Sequence, residues 1–250
     1  MKPLLYYGEN IQGTVVILEA MREYGCYNFI FSSSATVYGN RRQAVETDPI
    51  TSTNPYGWTK VMIEQILRDE ASANGKLKVI SLRYFNPVGA HPSSTIGESP
   101  NDIPNNLMPV IQRVASGKMA KLQVFGNDYD TIDGSGVRDF IHIVDLARGH
   151  VKAMEYLPDC EPGSFTPFNL GTGCGTSVLQ LISAFEKVSG HKIPFEITAR
   201  RPGDVPELVA IPTKAETLLN WKAELGVEDM CRDSWNWVDK NPNGYDGPHL

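Results

Sequence analysis

Cysteine is sparse in this chain. Cys26, Cys160, Cys174 and Cys231 are scattered over 250 residues, with no Cys-x-x-Cys and no histidine at ligand spacing. That excludes a disulfide framework and a zinc site, and the thiols read as the reduced cysteines of a cytoplasmic protein. No apolar run approaches the length that spans a bilayer, and the amino end has no apolar signal core. Basic residues are outnumbered, 23 against 29 acidic, which leaves a net charge of −6. That balance argues against a nucleic-acid or membrane-surface partner and leaves room for a local basic pocket. Repeats and low-complexity segments are also missing. With 41% apolar content, 250 residues suffice for one large core or two modest ones.

What is present is concentrated in Asn54-Pro55-Tyr56-Gly57-Trp58-Thr59-Lys60. Asn54 can cap a helix, and Pro55 pre-sets φ for its first turn. Val61, Ile63, Ile66 and Leu67 then carry a helical period to Ala73. Tyr56 and Lys60 stand four apart and share one face. An ammonium beside a phenol favours phenolate, so the pair is expected to lower the Tyr56 pKa and make it a proton acceptor for an alcohol. Alone, Tyr-x-x-x-Lys is a weak signal; its surroundings sharpen it. Upstream, Tyr27–Phe31 reads as a buried strand that ends in the hydroxyl cluster Ser32-Ser33-Ser34-Ala35-Thr36. Downstream, Leu77–Arg83 reads as a second strand, ending in Tyr84-Phe85-Asn86-Pro87-Val88-Gly89. This is one βαβ crossover with its chemistry at the carboxyl ends of the strands, where open α/β sheets place their ligands.

Over nearly its whole length the chain resembles the UDP-glucose (UDP-galactose) 4-epimerases of the extended short-chain dehydrogenase/reductase family. The resemblance rests on Ser32–Gly39, Tyr56 with Lys60, Arg83–Pro92, Ile103–Pro109, Val124–Tyr129, Gly136–His142 and Arg200–Asp204, in that order. It implies an α/β fold made of the C-terminal part of a doubly wound (Rossmann) parallel sheet and a smaller α/β substrate-binding domain. Residues 1–88 would form the partial NAD-binding domain and residues 89–250 the UDP-sugar-binding domain, with 140–172 returning to the Rossmann sheet. Such enzymes carry an earlier βαβαβ half with Gly-x-x-Gly-x-x-Gly, which cradles the cofactor pyrophosphate. The 250 residues contain no such spacing. On the order of 90 family residues are therefore expected to be absent, judged by the size of a two-halved dinucleotide fold. Gly171-Thr172-Gly173-Cys174-Gly175 has a different spacing and reads as a tight turn into a helix.

Residues 3–23 read as an amphipathic helix through Leu5, Ile11, Val15, Leu18 and Met21, with Tyr6 and Tyr7 in a core or dimer-facing role. Further helices are expected over 106–117, 145–157, 176–189, 213–221 and 227–238. Strands are expected over 123–125, 168–170 and 193–197, and a turn-rich, poorly ordered tail from Asn241.

The implied reaction is NAD-dependent epimerisation of UDP-galactose to UDP-glucose at C4 through a 4-keto intermediate. Tyr56 would take the proton of the 4-OH, Ser34 would hydrogen-bond the same oxygen, and Lys60 would hold the nicotinamide ribose. Asn10, Ser32, Ser33 and Tyr84 are the further cofactor contacts implied. On the nucleotide side the resemblance assigns Arg138 and Arg201 to the diphosphate, Asp204 to the uridine ribose and Phe125 to uracil. Phe85, Asn86, Asn106 and Leu107 would contact the rest of the substrate, while Arg200 reads as solvated. Leu208 stands where residue bulk decides on N-acetylated sugars, and leucine favours plain hexose. Related dehydratases place a carboxylate pair or a single glutamate after the serine run; here Ala35 and Thr36 cannot exchange a proton, which disfavours elimination. No metal is implied. A homodimer through the helices at 3–23 and 56–73 is. Two other readings stand beside this one: an inactive fragment or UDP-sugar-binding module that keeps Arg138, Arg201 and Asp204, and a chain completed by a separate amino-terminal piece.

Overall fold

Asn54 starts the longest helix as its place before Pro55 demands: its side-chain oxygen accepts the Gly57 N–H at 2.9 Å. Ser177 does the same for a later helix through a capping box with Gln180. The structure, a computed structural model, describes residues 3–100, 104 and 106–246. In chain order its main elements are α1 (Gly13–Glu23), β1 (Asn28–Ser34), α2 (Pro55–Asn74), β2 (Lys78–Tyr84) and β3 (Asn86–Val88). There follow α3 (Leu107–Ala115), β4 (Leu122–Phe125), β5 (Val137–Arg138), β6 (Phe140–His142), α4 (Ile143–Tyr156) and β7 (Phe165–Leu170). The last are α5 (Val178–Ser189), β8 (Phe195–Thr198), β9 (Glu207–Ala210) and α6 (Val227–Lys240).

Two compact units result. The first comprises Met1–Phe85, Arg148–Gly173 and Ala210–Lys222. Its centre is a parallel sheet in the order β1-β2-β7, with Ser32, Ser33 and Ser34 opposite Leu82, Arg83 and Tyr84. The strand β2 is central, and its run from Val79 to Arg83 is buried throughout, as a strand covered on both faces requires. Ile63, Leu67 and Ala71 of α2 and Leu18 of α1 pack with Phe31, Leu77 and Val79. The α/β class and the parallel βαβ unit are as expected. Two local features differ. β1 runs on through Ser34, past the expected last residue Phe31, so the serines are themselves strand residues paired with β2. The helix at 3–23 is interrupted by a π-helical turn at Gly8–Gln12 between Pro3–Tyr7 and α1. One extra residue in a turn does not disturb an apolar period enough to be read from it.

The second unit comprises Asn86–Ala147, Cys174–Val209 and Ala223–Leu250. β4 pairs in parallel with β8 and β3 with β6, while β5 lies between β9, parallel to it, and the antiparallel segment Thr176–Ser177, so this unit is built from short strands. Met108 and Ile111 of α3, Leu181 and Phe185 of α5, and Met230 and Cys231 of α6 share its core with Val124 and Phe140. The tail corrects an expectation. Asn241 donates to the Ser94 carbonyl at 2.9 Å, and the Tyr245 ring lies 4.9 Å from that of Trp237, its hydroxyl bonded to the Gly97 backbone at 3.0 Å. One aromatic in a polar tail pins it; residues 247–250 lie outside the described residues. No helix among the described residues is long and apolar enough to cross a membrane.

Candidate active site

In the first unit, three residues one helical turn apart on α2 meet three consecutive serines of β1. Tyr56 shares a hydrogen bond with the Ser34 side chain. One turn on, Lys60 Nζ donates to the Ser32 carbonyl at 2.9 Å and lies 5.6 Å from the Tyr56 ring centroid. A further turn on, Glu64 Oε1 accepts from Ser33 Oγ at 2.7 Å. The helical repeat of about 3.6 residues puts Tyr56, Lys60 and Glu64 in one row. Gly57 lets the first turn seat: a Cβ there would stand 2.0 Å from Ser52 Oγ and 3.2 Å from Thr36 Cβ.

Glu64 and Arg83 are both fully buried and hold each other, Arg83 Nη2 to Glu64 Oε2 at 2.6 Å and Nε to Oε1 at 2.9 Å. Ser81, like Ser33, donates to Glu64, here at 3.0 Å, and Arg83 reaches the Tyr38 hydroxyl at 2.9 Å. Every charged atom of this pair thus has a partner, which a buried ion pair requires.

The expected fall of the Tyr56 pKa is corrected. Burial pushes the phenol up, the Ser34 hydrogen bond opposes that, and Tyr6, with its ring 6.1 Å away, adds to the rise. Lys60 spends its ammonium on the Ser32 carbonyl instead, and burial lowers its own pKa. Tyr84 stands at the end of β2 with its hydroxyl on Ser32 Oγ at 2.6 Å and against His150 Nε2. Asn10, expected at the cofactor, gives its amide to Thr59 Oγ1 at 2.9 Å, and Thr59 donates to the Tyr56 carbonyl at 2.6 Å. Phe85 is buried beside Tyr38.

The second unit holds a cavity of about 840 Å³. Asn86, Asn106, Leu107, Phe125, Arg138, Arg201 and Asp204 all line it. Asp204 stands between two arginines, 3.7 Å from Arg138 Nη2 and 3.8 Å from Arg201 Nε. The Arg201 guanidinium lies 4.3 Å from the Phe125 ring centroid, a cation–π distance. Of the motif that brings Asn106 and Leu107 here, Ile103 and Asn105 lie outside the described residues.

The model of the NAD dependent epimerase/dehydratase family matches residues 1–171. UDP-glucose 4-epimerase 2 of Arabidopsis thaliana is 57% identical over 246 residues, which cover 98% of this chain and 70% of that protein. The chain belongs to the UDP-glucose 4-epimerase family. Another epimerase of the family, from Bacillus subtilis (strain 168), is 55% identical over 249 residues, 97% of this chain and 72% of its own. The crystal structure of the UDP-glucose 4-epimerase from Bifidobacterium longum in complex with NAD+ and UDP matches with a TM-score of 0.93 at 49% identity, covering 98% of this chain and 73% of that one.

One epimerase-like assignment is placed differently from expectation. Leu208 is buried on β9 opposite Arg138 and does not line the cavity of its unit. Arg200 is exposed, as expected, and there bonds Asp128 at 2.7 Å and lies 4.2 Å from the Tyr129 ring centroid. Glu64 and Tyr129 were missed altogether. Glu64 could have been found from the row it continues, four residues after Lys60.

Proposed function

We propose that this chain interconverts UDP-galactose and UDP-glucose at C4 by an NAD-dependent, proton-coupled exchange. The observation that carries this is the row on α2, in which a phenol bonded to Ser34 stands one turn from an ammonium at the carboxyl end of a parallel sheet. Tyr56 takes the proton from the sugar 4-oxygen and returns it, while Ser34 holds the same oxygen in reach. Burial raises the cost of phenolate, and the Ser34 hydrogen bond opposes that rise. A bound NAD would supply the hydride acceptor and donor for C4.

The residues fit the nicotinamide end of that cofactor. Lys60 has three donors and uses one on the Ser32 carbonyl, leaving others for the ribose hydroxyls, with Tyr84 and Ser32 adjoining. They do not fit its pyrophosphate: Gly173 packs on Pro212 and Gly175 on Val137 and Val209, and the 250 residues hold no Gly-x-x-Gly-x-x-Gly. Cofactor contacts within this chain are therefore assigned to the nicotinamide end alone. On the nucleotide side Arg138 and Arg201 serve the diphosphate, Asp204 the ribose and Phe125 the uracil, with Asn86, Asn106 and Leu107 along the sugar. Ala35 and Thr36 offer no acid or base for eliminating water, which favours epimerisation.

The test is to supply the chain with NAD and UDP-galactose and follow UDP-glucose. Product formation is expected; UDP binding with no NAD binding and no product would reduce the chain to a UDP-sugar-binding module. A homodimer is part of the reading. Leu4, Leu5, Val16 and Ile17 on the helix at 3–23 and Trp58 and Met62 on α2 are exposed apolar residues, more than a lone surface helix usually shows. Sedimentation should give the mass of two chains, and a monomeric mass at micromolar concentration would remove the dimer from the account.

A further inference from the structure

In the second unit the Tyr129 side chain is 6% exposed, and its hydroxyl has no hydrogen-bond partner among the described residues. Burying a hydroxyl without a partner costs stability, and phenylalanine would fill the same space without that cost. The ring is held in place. Arg200 lies over one face at 4.2 Å from the centroid and is itself tied to Asp128. Gly126, at φ +83°, leaves room at the ring edge, where a Cβ would come within 2.7 Å of Tyr129 Cε2. The backbone is fastened on both sides, the Tyr129 N–H to the Gly134 carbonyl at 3.0 Å and the Thr131 N–H to the Tyr129 carbonyl at 2.8 Å.

This tyrosine lines the cavity that contains Arg138, Arg201 and Asp204. Burial raises its pKa and Asp204 adds to the rise, against Arg200 and Arg138, so at neutral pH it is an O–H donor and not a phenolate. Two guanidinium groups and a neutral phenol beside one carboxylate make a donor-rich wall, which suits an oxygen-rich anion. We propose that Tyr129 is a further substrate-binding residue, its hydroxyl donating a hydrogen bond to a diphosphate oxygen of the nucleotide sugar. The assignment rests on the reading of the cavity as a UDP site and adds to it a neutral donor beside the two arginines. It also gives Arg200 a function at one remove: by covering the Tyr129 ring it positions the hydroxyl without touching the ligand.

The experiment is calorimetric titration of UDP and of uridine into the unchanged chain and into Tyr129→Phe, with thermal melting of both. The variant should bind UDP about tenfold more weakly, the order expected for one hydrogen bond to a charged oxygen. It should bind uridine as the unchanged chain does, and melt at the same or a higher temperature. Equal UDP affinity in the two chains overturns the assignment, as does a parallel loss for uridine or a lowered melting temperature, which would mark a bracing role. Failure of the unchanged chain to bind UDP brings down the cavity reading itself, and this assignment with it.

Discussion

Tyr56→Phe is expected to lower kcat for UDP-galactose epimerisation by about 10²–10⁴-fold, the usual worth of a positioned acid–base group. KM should stay within about threefold, because under the proposed mechanism the phenol acts on one proton in the transition state while the UDP contacts carry the ground-state affinity. The ring loses little packing: Tyr56 is 37% exposed, and its edge-on contact with Tyr6 does not need the hydroxyl. Thermal stability should therefore change little, which separates chemistry from folding. Ser34→Ala should cost less in kcat than Tyr56→Phe, since under the proposed mechanism Ser34 only hydrogen-bonds the oxygen whose proton Tyr56 takes. If steady-state kinetics showed Tyr56→Phe within threefold of the unchanged chain, the proton would be moving elsewhere, and the α2 row would be structural.

How much of this was legible in the sequence depends on the range of the signal. Asn54, Pro55 and the apolar period after Trp58 act within a few residues, and the start of α2 emerged where they place it. The serine cluster and the Tyr56/Lys60 spacing are likewise local, and the structure brings them together. What stayed hidden needs partners far apart in sequence. Strands of two to four residues such as β3, β5 and β9 are too short for a period and exist only through their pairing. The return of Ala210–Lys222 to the first unit has no signal of its own. The Tyr56 pKa was misjudged for the same reason. Spacing says that Lys60 is near, but only the fold shows its ammonium turned to the Ser32 carbonyl and the phenol partly desolvated.

Breaking the Glu64–Arg83 pair should cost more stability than any other single change in the first unit. Glu64→Ala leaves Arg83 charged and fully buried, and removing one partner of such a pair typically costs about 3–5 kcal/mol. At about 2–4 °C per kcal/mol for a chain of this size, that is a melting temperature lower by on the order of 10 °C. Replacing both partners by apolar residues, Glu64→Leu with Arg83→Met, should recover much of the loss, because no charge is then stranded. The pair also sets a pH window. Burial alone would raise the Glu64 pKa, but the Arg83 hydrogen bond and charge outweigh it and hold the carboxyl below its ordinary value of 4.5. A folded-state pKa below the unfolded one means that the stabilisation is full above about pH 4.5 and is lost as pH falls through the folded value. The unchanged chain should therefore lose stability below pH 4.5 more steeply than the doubly apolar variant, in melting curves taken from pH 7 downward. The same carboxylate ties α2 to Ser33, between the two serines that meet Lys60 and Tyr56. Ser33→Ala removes that tie without stranding a charge, so it should cost only about 1 kcal/mol of stability. If kcat then falls further than stability does, the buried pair sets the register of the catalytic row as well as the fold; parallel changes would confine it to the fold.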